Sequence, residues 1–234
     1  MKIFGQPESY SDMLERIFFF TFGTGVFCVF YLSISSPAVK SILDSLAIEA
    51  EIGWIKGLKA LYVVIPLIVA IFSRIIRLHD KISDVLLIRH RFDTKHILLP
   101  LSRKVGSCVG PDVIKKNRVD MMYKLFYPYA GFKDPSIDAQ LVRSALDNWG
   151  WFWVELEAIC LFLVTGSIFL IMGKTTQLIF SFVVALLLIA VSFGQYKTCI
   201  RTATAEVNAI VSDENRNQKI LEHFSVFEEG SKGD

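Results

Sequence analysis

The chain has 234 residues, 53% of them hydrophobic and 21% charged, with a formal net charge of +2. A mean hydropathy of +0.46 is too apolar for a disordered chain or an ordinary soluble domain. Cys28, Cys108, Cys160 and Cys199 are scattered and form no CxxC pair, which argues against a disulfide scaffold and a structural zinc site.

Four apolar stretches follow in chain order. Residues 17–34 hold 18 residues without a charge, enough to cross a hydrocarbon core at about 1.5 Å per residue. The preceding flank carries Glu8, Asp12 and Glu15 rather than basic residues, so this stretch is expected to be a retained span and not a signal peptide. The second stretch, residues 54–76, has an uncharged centre at 60–73 and Pro66 within it, where a kink is expected. Lys56, Lys59 and Arg74 at its ends must snorkel to the interface. The third and fourth, residues 151–173 and 175–196, are separated only by the turn at Gly173 and Lys174. They form an antiparallel hairpin.

Charge gives the orientation. Residues 74–149 carry 14 Lys/Arg and 8 Asp/Glu, a net of +6, whereas residues 35–55 carry Lys40 against Asp44, Glu49 and Glu51, a net of −2. The positive-inside rule puts 74–149 in the cytoplasm, and with four spans both termini join it. Trp149, Trp151 and Trp153 suit an interfacial aromatic belt. The expected fold is an all-α membrane protein. Residues 1–76 hold an N-terminal segment and spans one and two. Residues 77–149 form a basic helical insert, 150–196 hold spans three and four, and 197–234 form a helical tail.

Residues 73–95 contain neither Pro nor Gly, and Leu78, Ile82, Val85 and Phe92 make a heptad-like seam. Span two is therefore expected to run on as one helix into the insert. Arg74, Arg77, Lys81, Arg91 and Lys95 fall on one broad face, partly offset by Asp80 and Asp84. Such a face can attract an anion; a salt-bridged, solvated surface is the commoner use of the pattern. A helix is expected from Pro111 toward Tyr127, mixing Lys115, Lys116, Arg118 and Lys124 with Tyr123, Phe126 and Tyr127. Charges can take phosphates there while rings stack on bases. The next helix is expected to start at Asp134-Pro135-Ser136 and to carry Leu141, Val142, Ala145 and Leu146 toward span three. The tail shows intermittent helical periodicity, with seven acidic against five basic residues, and suits packing on the basic insert of the same or a neighbouring subunit.

No nucleotide-loop, zincin or nucleophile-elbow motif is present, so no enzyme, cofactor or metal is expected. His79 and Asp80 do not share a helix face, and His90 and His96 are poorly spaced for joint ligation. Charge inside a span is costly and therefore informative. Glu155 and Glu157 lie about 200° apart on a helix. One can line a cation-attracting mouth; alternatively both sit at headgroup depth, paired with Arg143, Arg74 or Arg77. Thr165 and Ser167 can wet a pore, although close helix packing is their commoner use.

The segment at 77–101, RLHDKISDVLLIRHRFDTKHILLPL, with the four-span layout, resembles membrane effectors of bacterial anti-phage defence, in type the channel-forming subunit of the Hailong system. The resemblance implies a homo-oligomeric, tetrameric ion channel in the bacterial inner membrane. It also implies a partner nucleotidyltransferase whose DNA oligomers hold the channel closed, and depolarisation of the infected cell when it opens. No family motif transfers residue by residue, so the candidate sites rest on the physical reading. The ligand-binding set is Arg77, Lys81, Arg91, Lys95, Lys115, Lys116, Arg118, Tyr123 and Lys124, for a nucleotide or DNA oligomer. The pore set is Glu155, Glu157, Thr165 and Ser167. The rival reading is a non-conducting scaffold or sensor that docks a soluble partner or anionic lipid through the basic insert.

Overall fold

The computed structural model describes residues 5–45, 60–132 and 135–232, and every regular element among them is helical. Helix α1, Tyr10–Ser35, starts with a capping box. The Asp12 N–H donates to Ser9 Oγ, and the Ser9 N–H donates to Asp12 Oδ2 at 2.9 Å. The acidic flank thus caps the helix, since an acceptor in the first turn satisfies otherwise orphaned donors. A short helix α2, Pro37–Ser45, follows with proline in its first position, where the missing N–H costs nothing. Trp54, Lys56 and Lys59 lie outside the described residues.

Helix α3, Leu61–Ile76, contains Pro66, which is buried. Pro66 packs on Gly25 of α1: a Cβ added to Gly25 would meet Pro66 Cβ at 3.1 Å. The expected continuous helix over 73–95 is not formed. Arg77 adopts a left-handed conformation, φ 51°, and helix α4, Leu78–Val85, leaves α3 at a 57° bend. Leu87 is left-handed as well, φ 54°, before helix α5, Ile88–Phe92. A left-handed non-glycine residue costs about 1–2 kcal/mol, so packing must select these breaks. The buried side chains of α4 are His79 and Ser83, while Val85 of the expected seam is 81% exposed. The bend lets a polar stripe, not the apolar one, face the bundle.

A π-helical turn at Asp93–Leu98 joins α5 to α6, Leu99–Lys104. The expected helix from Pro111 is also divided. Helix α7, Pro111–Lys116, ends at Asn117, and α8, Arg118–Met121, runs through a second π turn, Met122–Phe126, into α9, Tyr127–Ala130. The next helix starts later than expected. Asp138 caps α10, Ala139–Ile171, by accepting from the Gln140 N–H at 2.9 Å. Ser136 remains in the preceding loop, with its N–H donating to the Tyr129 carbonyl. Val142 and Ala145 are buried as the spacing predicts.

Helix α11, Thr175–Val211, returns antiparallel to α10 after Gly173, whose φ of 67° suits glycine at a helix end. Helix α12 is Glu214–Lys232. Helix α1 packs between α3 and α10, and α10 runs along α11. Helices α1, α10 and α11 are each long and apolar enough to cross a membrane, and α3 passes that test together with α4 as one bent span. The protein is an all-α membrane protein. At about 1.5 Å per residue, α10 and α11 exceed a hydrocarbon core of about 30 Å, so both project beyond it.

Two cores result. A small one between the spans joins Cys28, Phe162 and Ala185. The large one lies where α10 and α11 project, and joins Phe92, Leu101, Met121 and Leu125 of the insert to Val207 and Ile210 of α11. Ile220 and Phe224 of the tail are fully buried in it. The tail packs on the insert as expected, chiefly through these apolar residues. Arg216 Nη2 adds a bond to the Ser136 carbonyl at 2.7 Å, and Lys124 Nζ sits 5.3 Å from the centre of the Phe227 ring.

Candidate functional site

The most polar buried place lies where α1, α3, α4 and α10 meet, at the bend. Glu157 of α10 is 1% exposed. Its Oε2 accepts from Thr21 Oγ1 of α1 at 2.6 Å and from Ser73 Oγ of α3 at 2.8 Å. Its Oε1 has no hydrogen-bond partner and lies 3.7 Å from His79 Nδ1. The other imidazole nitrogen, Nε2, lies 3.8 Å from Asp80 Oδ1. Asp80 accepts from Arg89 Nη2 at 2.7 Å, and Arg77 Nη1 lies 4.0 Å from its other oxygen. Trp153 faces the imidazole, with ring centres 6.0 Å apart. A buried carboxylate is tolerated only when bonded or paired, and here three other helices supply the partners.

The expected pairing of Glu157 with Arg143, Arg74 or Arg77 is not formed. Arg74 lies over the Phe18 ring at 5.8 Å, Arg77 reaches Asp80, and Arg143 is exposed. Sequence reasoning singled out Glu157 but missed Thr21, Ser73 and His79. Their signal was faint: two hydroxyl residues in apolar runs and a histidine one position before an aspartate.

A second buried charge ties α1 to the start of α10. Arg16, 2% exposed, donates to Asp147 Oδ1 at 2.6 Å and to the Gly5 carbonyl, and lies 4.9 Å from the Trp151 ring centre. Gly150 makes room for it, since a Cβ there would meet Met13 at 3.1 Å and Arg16 Nη1 at 3.4 Å. A third pair lies in the insert, where Arg118 bonds the buried Asp93 at the start of the first π turn. Burial pushes the Asp93 carboxyl up to about 6, against the pull of the Arg118 guanidinium.

The candidate ligand residues divide accordingly. Arg77, Lys81, Arg91, Lys95, Lys115, Lys116, Tyr123 and Lys124 are exposed. Arg118 is half-buried and engaged with Asp93, so its charge is already matched. Lys115 Nζ lies 3.2 Å from Asp112 Oδ1, and Lys124 covers Phe227. Tyr123 is 68% exposed and packs edge-on to Tyr127. The candidate pore residues also divide. Thr165 is buried and donates to the Leu161 carbonyl, beside Gly166, where a Cβ would touch Ser181 of α11 at 3.4 Å. That is small-residue packing. Ser167 is exposed and bonds the Leu163 carbonyl. Glu155 is half-buried, and its Oε2 is buried without a hydrogen-bond partner.

The YmfE protein family matches residues 9–222, and the chain belongs to that family. It is 26% identical over 136 residues to the uncharacterized protein YmfE of Escherichia coli (strain K12). That match takes in 54% of this chain and 56% of the relative, so the chain spans just over half the length of the relative it matches. No solved structure matches the chain.

Proposed function

We propose that this YmfE-family chain is a homo-oligomeric inner-membrane ion channel, gated through its insert by a nucleotide or DNA oligomer, and a membrane-depolarising effector in anti-phage defence. The observation that carries the reading is the bend at Arg77. There the helix leading to the exposed basic surface leaves the bundle beside a carboxylate that α1 and α3 hydrogen-bond and that His79 of α4 approaches at 3.7 Å. A load on the insert is transmitted at that joint, because packed polar groups are bistable and do not deform smoothly. The net of +6 over residues 74–149 against −2 over 35–55 supports an orientation with the insert and both termini in the cytoplasm. Ligand phosphates then meet Arg91 and Lys95, and the tetramer surrounds an axis that one protomer has no room to enclose.

Binding of a fluorescent DNA oligomer tests the ligand half over a salt series. Arg91→Glu with Lys95→Glu is expected to weaken binding and to reduce the salt slope by about one for each phosphate no longer neutralised. An unchanged slope contradicts the assignment. The second reading, a non-conducting sensor or scaffold, is favoured by one observation: Glu157 and Thr165 are engaged inside the protomer. Native mass spectrometry separates the two, since a monomer in both detergent and nanodiscs leaves ions no route.

A further inference from the structure

We propose that His79 carries protons between Asp80, at the edge of the bundle, and Glu157 inside it. Three observations combine. His79 as a whole residue is 2% exposed, yet each ring nitrogen faces a different carboxylate, Nδ1 toward Glu157 Oε1 at 3.7 Å and Nε2 toward Asp80 Oδ1 at 3.8 Å. Both Nε2 and Glu157 Oε1 are buried and without a hydrogen-bond partner. The line runs from sealed to wet: the side chain of Glu157 is 1% exposed, that of His79 3%, and that of Asp80 20%.

An orphaned buried donor or acceptor costs free energy, and this site holds two within one imidazole's reach. Closing either gap by about half an ångström brings it near hydrogen-bond range. A neutral imidazole transfers one proton without net change. Nε2 takes a proton arriving from Asp80, Nδ1–H releases its own to Glu157 Oε1, and the ring is left as the other tautomer, which resets by rotation or by the reverse transfer. The Oε2 edge stays fixed by Thr21 and Ser73, so Oε1 is the atom that gains the proton.

The surrounding charges suit a one-sided route. Arg89 and Arg77 hold Asp80 at its outer end, and Tyr10 of α1 stands near Asp80 and Arg89. From α10, Trp153 closes the imidazole face and Cys160 lies near Glu157. The basic side chain that faces Glu157 Oε1 is His79 itself. Proton passage through His79 stands whether or not an oligomer conducts other ions.

Time-resolved infrared spectroscopy after an acid jump, on the full chain in nanodiscs, tests the route. The carboxyl C=O band of Glu157 is assigned by its loss in Glu157→Gln. It is assigned independently by its shift in Thr21→Val, which removes one donor to Oε2. A jump from about pH 8 to about pH 4 brackets ordinary carboxyl titration. The band is expected to rise, and to rise at least about tenfold more slowly in His79→Gln, as removal of a positioned proton carrier requires. Asp80→Asn, at the exposed edge, is expected to slow it as well. An unchanged rate in either of these variants overturns the relay, and so does the absence of any Glu157 band.

Discussion

The Arg16–Asp147 pair predicts an asymmetry in stability. Nη1 of Arg16 and Oδ1 of Asp147 are 2.6 Å apart, but the arginine side chain is 2% exposed and the aspartate 24%. Asp147→Ala takes the carboxylate from a guanidinium in a site closed to water, which keeps its bond to the Gly5 carbonyl and its contact with the Trp151 ring. The cost is expected at the lower end of the about 3–5 kcal/mol for losing one partner of a buried pair. Arg16→Met strands a carboxylate that water reaches, while the methionine fills part of the volume. Its cost is expected near that of the missing charged hydrogen bond, about 1.5–3 kcal/mol. The smaller truncation should therefore do the greater damage, and the double variant should lie close to Arg16→Met alone. Reversible unfolding in mixed micelles, followed by tryptophan fluorescence, measures the cycle; Trp151 lies over the arginine and reports its loss directly. Greater damage from Arg16→Met, or additivity of the two changes, would refute the reasoning.

Two further predictions concern pH and close packing. The folded-state carboxyl of Asp93 is raised to about 6, so the folded state binds its proton more tightly than the unfolded chain does. The stability it contributes is complete below an ordinary Asp value of about 3.9 and is lost as pH rises through about 6. A melting series across that window should fall with pH in the parent and stay flatter in Asp93→Asn; parallel curves would remove Asp93 as the cause. Gly25→Ala places a Cβ 3.1 Å from the rigid Pro66 ring, whereas a Cβ at Gly23 meets nothing within 4 Å. The first is expected to cost about 1–3 kcal/mol by overpacking. The second is expected to stabilise the helix by up to about 1 kcal/mol. Equal effects on thermal stability in detergent would contradict the close approach of α1 to α3.

Spans one, three and four were legible because each is a long run of apolar residues, and run length against bilayer thickness decides the matter; the second is shorter and passes only with α4 as one bent span. The α10–α11 hairpin followed from the turn residue Gly173. The break at Arg77 was not legible, since neither the break nor its neighbours include Gly or Pro. It follows from a tertiary preference, burial of His79 against Glu157 and Trp153 of α10 together with burial of Ser83, which no local pattern encodes. The heptad-like seam misled for the same reason: a period states which residues share a face, not which face finds a partner. Glu157 stood out as a charge in an apolar run, but its partners Thr21, Ser73 and His79 lie 136, 84 and 78 residues away in sequence. The capping box at Ser9 and Asp12 is visible in the letters. Its acidic residue bears on the signal-peptide question and also fixes where α1 begins.

Single-channel recording from the purified chain in planar bilayers, with and without short DNA oligomers, tests the proposed function most directly. A gated channel predicts discrete currents that the oligomer alters. Silence in both conditions, from protein shown to be folded and inserted, would contradict it and leave the sensor or scaffold reading.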